Sequence, residues 1–239
     1  TSAKFDIKSI QLQTSMVDYW PQVKFVFCDK FVFTSYQAYK FYRSYNPDEA
    51  TKYDFWGSFI ELPKVKLTSE LRNVLYFSQP YEKQNEIRVV QALVDATTLQ
   101  GAQLYIKLHP RDSKQKFQSI KGVLKFVDNH FIDNYLGNFQ LTVVRTSAIG
   151  KEAILRGVPT VVILSTESDR TISNDYLQDR YKDFGCFVLN VDGLNKAIEN
   201  FDNTVNEFVK FRDVFIEENR LSNKFPSFQS NLVELECQN

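Results

Sequence analysis

At 239 residues, 43% hydrophobic and 24% charged, the chain is long enough for one large domain, or one domain and part of another, with a substantial buried core. Lysine plus arginine equals aspartate plus glutamate at 29 each, so no overall positive field draws nucleic acid, and any anion site has to be local. Cys28, Cys186 and Cys237 are odd in number and scattered, which argues against a disulfide framework or a zinc site and fits a reducing compartment. No run of about 18 apolar residues and no basic-then-apolar leader is present, so the chain reads as cytosolic. The start Thr1-Ser2-Ala3-Lys4, with Met16 as the sole methionine, reads as a trimmed or processed chain with room for an upstream domain.

In chain order, Val23 to Thr34 is rich in β-branched and aromatic residues with a polar break at Asp29-Lys30, which predicts one or two short strands. Ser35 is placed to cap a helix running to about Ser44 and ended by Asn46-Pro47, after which Trp56-Gly57-Ser58 and Leu62-Pro63 mark a linker. The expected division is therefore residues 1–62, the end of one domain, and residues 63–239, a second domain with a helical tail. From there strand-like and helix-like runs alternate. Val74 to Phe77 predicts a strand, and Glu82 to Thr98 a helix whose face carries Ile87, Val90, Leu93 and Val94. Leu104 to Leu108, Val123 to Val127 and Leu141 to Val144 predict further strands. A helix from about Ser147 to Arg156, closed by Gly157, leads into Val158 to Leu164, a run suited to a strand buried on both faces. Phe187 to Leu189 is a further strand, and Leu194 to Asn219 reads as a helical tail. The fold class is α/β, a Rossmann-like, doubly wound, mostly parallel sheet with an incomplete or smaller N-terminal part, and ligands belong at the carboxyl ends of its strands.

Two motifs fall at those ends. His109 follows its strand directly, Pro110 biases it toward an extended backbone, and Lys107 and Arg111 add charge, a corner suited to phosphate. Imidazole donates to a phosphoryl oxygen or protonates a leaving group near neutral pH. The plainer alternative is a turn residue flanked by solvated cations. In Arg145-Thr146-Ser147-Ala148 the hydroxyls and backbone N–H groups can meet an anion at the helix start, or merely cap the helix. Glu152, a turn later, can accept from ribose hydroxyls or complement the helix dipole. The aromatic residues Phe25, Phe27, Phe31, Phe33, Tyr36, Tyr39 and Tyr42 read as core rather than a base-stacking platform, since no basic stripe accompanies them. His130 reads as a loop residue, and Thr166 to Arg170, which follows its strand toward the cleft, reads as solvated loop, with contact to sugar or base as the alternative.

Taken together, Lys107-Leu108-His109-Pro110-Arg111-Asp112 and the run from Arg145 to Ile163 resemble the C-terminal half of a GT-B glycosyltransferase. The resemblance is nearest to the bacterial sialyltransferase and polysialyltransferase type that uses CMP-activated sugars, in capsule or lipooligosaccharide biosynthesis. It covers roughly Asn73 to Leu164. It implies that His109, Pro110, Thr146 and Ser147 hold the CMP, that Glu152 to Pro159 approaches the ribose, and that Phe77-Ser78-Gln79-Pro80 brings backbone near the donor. The expected donor-binding set is thus Gln79, Lys107, His109, Pro110, Arg111, Arg145, Thr146, Ser147, Ala148 and Glu152, with His109 catalytic and no metal or cofactor. The implied partners are a nucleotide-sugar donor and a glycan acceptor, not nucleic acid, with peripheral association at the inner face of the cytoplasmic membrane. One departure stands out. The family's base lies in an Asp/Glu-Asp/Glu-Gly triplet that this sequence lacks, and Asp18, Asp29 and Asp54 are the acids near the expected cleft. Alternatives are a transferase or epimerase using CDP-glycerol or a UDP-sugar, and a non-catalytic Rossmann-like binding or assembly module.

Overall fold

The computed structural model describes residues 9–12, 28–57, 67–127, 136–173, 181 and 183–219. The segments around Asp18, His130 and Val23 to Phe27 lie outside these. The chain divides into two compact units, one of Thr1–Phe59 with Ile216–Asn239 and the other of Ile60–Phe215.

In the first unit β1 (Ile10–Leu12), β2 (Lys30–Phe33) and β3 (Tyr53–Phe55) form a parallel sheet in that order. Between β2 and β3 runs α1 (Tyr36–Tyr45). Ser35 caps it as expected, its Oγ accepting from Ala38 N at 3.5 Å, and Asn46 ends it. Phe31, Phe33, Ala38, Tyr42 and Tyr53 are buried together, so this part of the aromatic run is core. Of the candidate acids, Asp29 accepts from Ser9 N at 2.7 Å, and Asp54 accepts from Trp56 Nε1 at 3.3 Å.

The second unit is a doubly wound α/β layer. Its elements are β4 (Asn73–Phe77), α2 (Lys83–Leu99), β5 (Gln103–Lys107), β6 (Lys125–Val127), β7 (Leu141–Val144), α3 (Ala148–Leu155), β8 (Thr160–Ile163), α4 (Glu167–Ser173), β9 (Phe187–Val188), α5 (Val191–Glu199) and α6 (Phe201–Asn219). The six strands are all parallel in the order β6-β5-β4-β7-β8-β9, the Rossmann order, which reverses direction between β4 and β7. Alternation along the strands divides the core. Val74, Tyr76, Leu104, Ile106, Val143 and Val161 pack on one face with α2 and α5. Leu75, Phe77, Val144 and Val162 pack on the other with Ala153 of α3. A parallel strand covered on both sides needs apolar residues at nearly every position, which is why the sequence shows apolar runs there rather than alternation.

The tail is helical as expected, in two helices that meet at Asn200, whose Nδ2 turns back to Lys196 O at 3.0 Å. One expectation needs correction. Thr166 to Arg170 is not a solvated loop but the start of α4. Thr166 Oγ1 accepts from Asp169 N at 3.0 Å while Asp169 Oδ2 accepts from Thr166 N at 3.2 Å, a reciprocal capping box. At the end of α3, Gly157 takes a φ of 77°, the left-handed closure its position required.

Candidate functional site

The strand order makes the crevice beyond the carboxyl ends of β4 and β7 the natural ligand position, with β5 and β8 flanking it. Three turns meet there. The first follows β5. His109 O accepts from Asp112 N at 2.8 Å, closing a tight turn with Pro110 next to His109, where its fixed φ is an asset. Inside that turn Arg111 N donates to His109 Nδ1 at 3.1 Å. Nδ1 is therefore an acceptor, and in the neutral ring the proton resides on Nε2. Burial, then the Arg111 charge, pushes the His109 pKa below its ordinary value, and burial lowers that of Lys107 as well. The corner thus offers a neutral imidazole donating through Nε2–H, while Pro110 and Arg111 are exposed.

The second turn follows β4. Ser78 N donates to Lys107 O at 3.0 Å and Ser78 Oγ accepts from His109 N at 2.9 Å, so the β4 and β5 turns are joined. Gln79 is clamped through its backbone. Its N–H donates to Glu86 Oε1 at 2.7 Å and its carbonyl accepts from Lys116 Nζ, while its buried side-chain Nε2 has no partner among the described residues. Tyr81 then reaches across the switch point, its hydroxyl 2.5 Å from Thr146 Oγ1, and burial raises its pKa.

The third turn follows β7. Continuing the alternation of Leu141 and Val143 places Arg145 on the α2 face. There it is 0% exposed. Its Nε and Nη2 grip Asp169 at 3.1 and 2.9 Å, Nη1 reaches Glu86 Oε2 at 3.1 Å, and Nη2 also pairs with Glu82. The Tyr81 ring lies 5.3 Å from the guanidinium. Burial opposes the Arg145 charge, but Asp169, Tyr76 and Glu86 outweigh it and raise its pKa. Burial leads in raising the pKa of Glu86. Arg145 therefore departs from its expected place among groups that touch a donor: with no exposed surface and three carboxylate partners, it ties the turns together. Glu82, held by Arg145 and accepting from Thr166 Oγ1 at 3.1 Å, has a φ of 51°, a left-handed backbone that the network sustains.

Ser147 stands at the N-cap of α3 without a side-chain cap bond. Gly150 lets α3 close on β7, since a Cβ there would stand 2.7 Å from Val144 Cγ2. Ala148 heads the same helix. Glu152 pairs with Arg156 at 2.8 Å one turn on, and no hydrogen bond joins it to the His109 corner among the described residues. The structure thus brings His109, Pro110, Arg111 and Gln79 together through Ser78, and Thr146 to them through Tyr81. Ser78 and Asp112 lie inside the motifs the sequence singles out, and Asp169 inside the segment read as loop, but sequence reasoning gave their side chains no part here, and it missed Lys116, Tyr81 and Glu86. A cavity of 340 Å³ beside α5, lined in part by Gly185, Gly193, Lys196 and Asn200, involves none of these residues.

Comparison with known proteins bears on this arrangement. The family described as alpha-2,8-polysialyltransferase matches residues 3–177, which include all three turns. No curated protein sequence gives a significant match. Among solved structures, a protein designated UDP-N-acetylglucosamine 2-epimerase from Listeria monocytogenes superimposes with a TM-score of 0.60 at 13% identity, over 87% of this chain and 64% of that one. The wall teichoic acid polymerase TagF gives 0.53 at 10% identity over 87% and 58%. The calicheamicin glycosyltransferase gives 0.54 at 9% identity over 98% and 68%. These likenesses establish a GT-B type fold, and the chain spans less than two thirds of the first two relatives.

Proposed function

The chain belongs to the alpha-2,8-polysialyltransferase family, and on that premise we propose that it forms the donor-side part of a glycosyltransferase that uses a CMP-activated sugar such as sialic acid or Kdo. The observation that carries this reading is the His109 corner. A neutral imidazole whose Nδ1 is tied to the Arg111 N–H presents Nε2–H at the carboxyl end of β5, next to the switch point. In the reaction, the bond between the anomeric carbon and the CMP phosphate oxygen breaks as the acceptor hydroxyl attacks from the opposite side, with inversion. His109 donates a hydrogen bond through Nε2–H to the departing phosphate, and the N–H end of α3, with the Ser147 hydroxyl, receives its negative charge. Gln79, with its buried unpartnered amide nitrogen, and Thr146 line the donor side. The base that takes the acceptor proton comes from the Asp/Glu-Asp/Glu-Gly triplet that this sequence lacks, so the chain binds donor without a complete catalytic pair. The acceptor is a surface glycan, and no helix among the described residues is long and apolar enough to cross a membrane.

The test is a thermal-shift panel of CMP, CDP, UDP and GDP, since a ligand selective for the native state raises the melting temperature. CMP is expected to stabilise most, with the shift lost in His109→Ala. A selective response to CDP or UDP would reassign the donor. Absence of any response, together with a stable complex with another chain, would instead support an assembly module.

A further inference from the structure

Two side chains outside the expected donor set hold the His109 turn, and both are buried at the seam between β4 and β5. Ser78 Oγ accepts from His109 N at 2.9 Å and donates to Asp112 Oδ2 at 2.6 Å, a short charge-assisted bond. Asp112 N closes the turn on His109 O. The Asp112 side chain, 5% exposed, also receives Lys116 Nζ at 3.0 and 3.1 Å. Lys116 binds Gln79 O and stands 3.9 Å from Glu86, which anchors the assembly to α2.

We infer that Ser78 and Asp112 are positioning residues that keep the Arg111 N–H aimed at His109 Nδ1 and so fix the imidazole as an Nε2–H donor. This rests on the reading of His109 as the group that meets the donor phosphate. Both ends of the turn are tied to one hydroxyl, His109 through its N–H and Asp112 through its carboxylate. The Arg111 N–H lies between those ends and reaches Nδ1 only while the turn keeps its shape. A hydrogen bond to the Nδ1 lone pair favours the neutral ring, so releasing the turn raises the His109 pKa. The charges around the ring are Arg111 and Asp112 in the turn, Lys107 at the end of β5, and Lys116 beyond it.

With only two histidines in the chain, the experiment is ¹⁵N NMR of the imidazoles across pH. In the parent, His109 is expected to carry its neutral-form proton on Nε2, and a proton on Nδ1 would overturn the inference. Ser78→Ala changes no charge, so a rise of up to about one pKa unit in the His109 midpoint reports the lost orientation alone. At position 112, Asp112→Asn and Asp112→Ala lose the same charge, but Asn keeps an oxygen facing Ser78. The midpoint is expected to lie lower in Asn than in Ala. CMP affinity measured alongside is expected to fall about tenfold in Ser78→Ala, the scale of one charge-assisted hydrogen bond. Midpoints unchanged in Ser78→Ala and equal in the two variants at 112 would show that these residues only hold backbone. If Ser78→Ala does not fold, the parent tautomer and the pair at 112 decide. A parent that binds no CMP would sink the donor-site reading while leaving the NMR result intact.

Discussion

A histidine at the end of a strand can serve as a fixed cation or as a neutral donor, and its second nitrogen decides which. With Nδ1 accepting from Arg111 N, and with burial and neighbouring Arg111 depressing its pKa, His109 is neutral at physiological pH. The unfolded chain then holds the proton more readily than the native one, so the stability His109 contributes is present above about pH 6.5 and declines as pH falls below it. Binding of an anion has the opposite sign. A phosphate beside Nε2 favours the imidazolium, so the pKa in the complex exceeds that of the free protein, and affinity rises as pH falls through the bound value toward the free one. CMP binding near pH 7 is therefore expected to take up protons, read by calorimetry in buffers of different ionisation enthalpy. His109→Ala should remove the part of that uptake that does not belong to the nucleotide. Equal uptake in parent and variant would mean that the ring is not at the phosphate.

Between elements, Arg145 is the tie that matters most. It joins β7 to the start of α2 through Glu82 and Glu86 and to α4 through Asp169. Arg145→Met keeps most of the volume but leaves buried carboxylates uncompensated, and is expected to cost about 3–5 kcal/mol, or on the order of 10 °C in melting temperature for a chain of this size. An unchanged melting curve would mean that the network contributes nothing net. The sequence shows why this role was illegible. The residue stands in a turn of apparent binding motif, and its partners lie 63, 59 and 24 residues away. Local pattern reports charge but not who neutralises it. Elements whose information is local were legible. The apolar runs placed β4, β5, β7 and β8 within a few residues, and Ser35, Asn46 and Gly157 marked helix ends correctly. Two signals were present but unread. Glu86 shares the helical spacing of Val90, Leu93 and Thr97 on the buried face of α2, which marks it as a buried carboxylate needing a partner. Thr166 and Asp169 have capping-box spacing in a segment whose polarity suggested loop.

At the scale of the whole chain, the three turns proposed to hold the donor fall in one unit. Every residue from Ser78 to Asp169 that builds the three turns lies within Ile60–Phe215, and the described residues of that unit form a six-stranded sheet with apolar core on both faces. A six-stranded layer covered by α2 and α5 on one side and α3 on the other buries what a domain of this length needs to stand alone. A shortened chain of residues 60–219, which keeps α6 entire, is therefore expected to fold cooperatively and to bind CMP with the affinity of the full chain. Circular dichroism during thermal unfolding and calorimetric titration would check both. Since net charge is balanced and the proposed anion site lies in the second unit, removing the first unit should leave the salt dependence of binding unchanged as well. A folded fragment that had lost its affinity would place part of the donor site in the first unit. An unfolded one would show that the sheet depends on the rest of the chain.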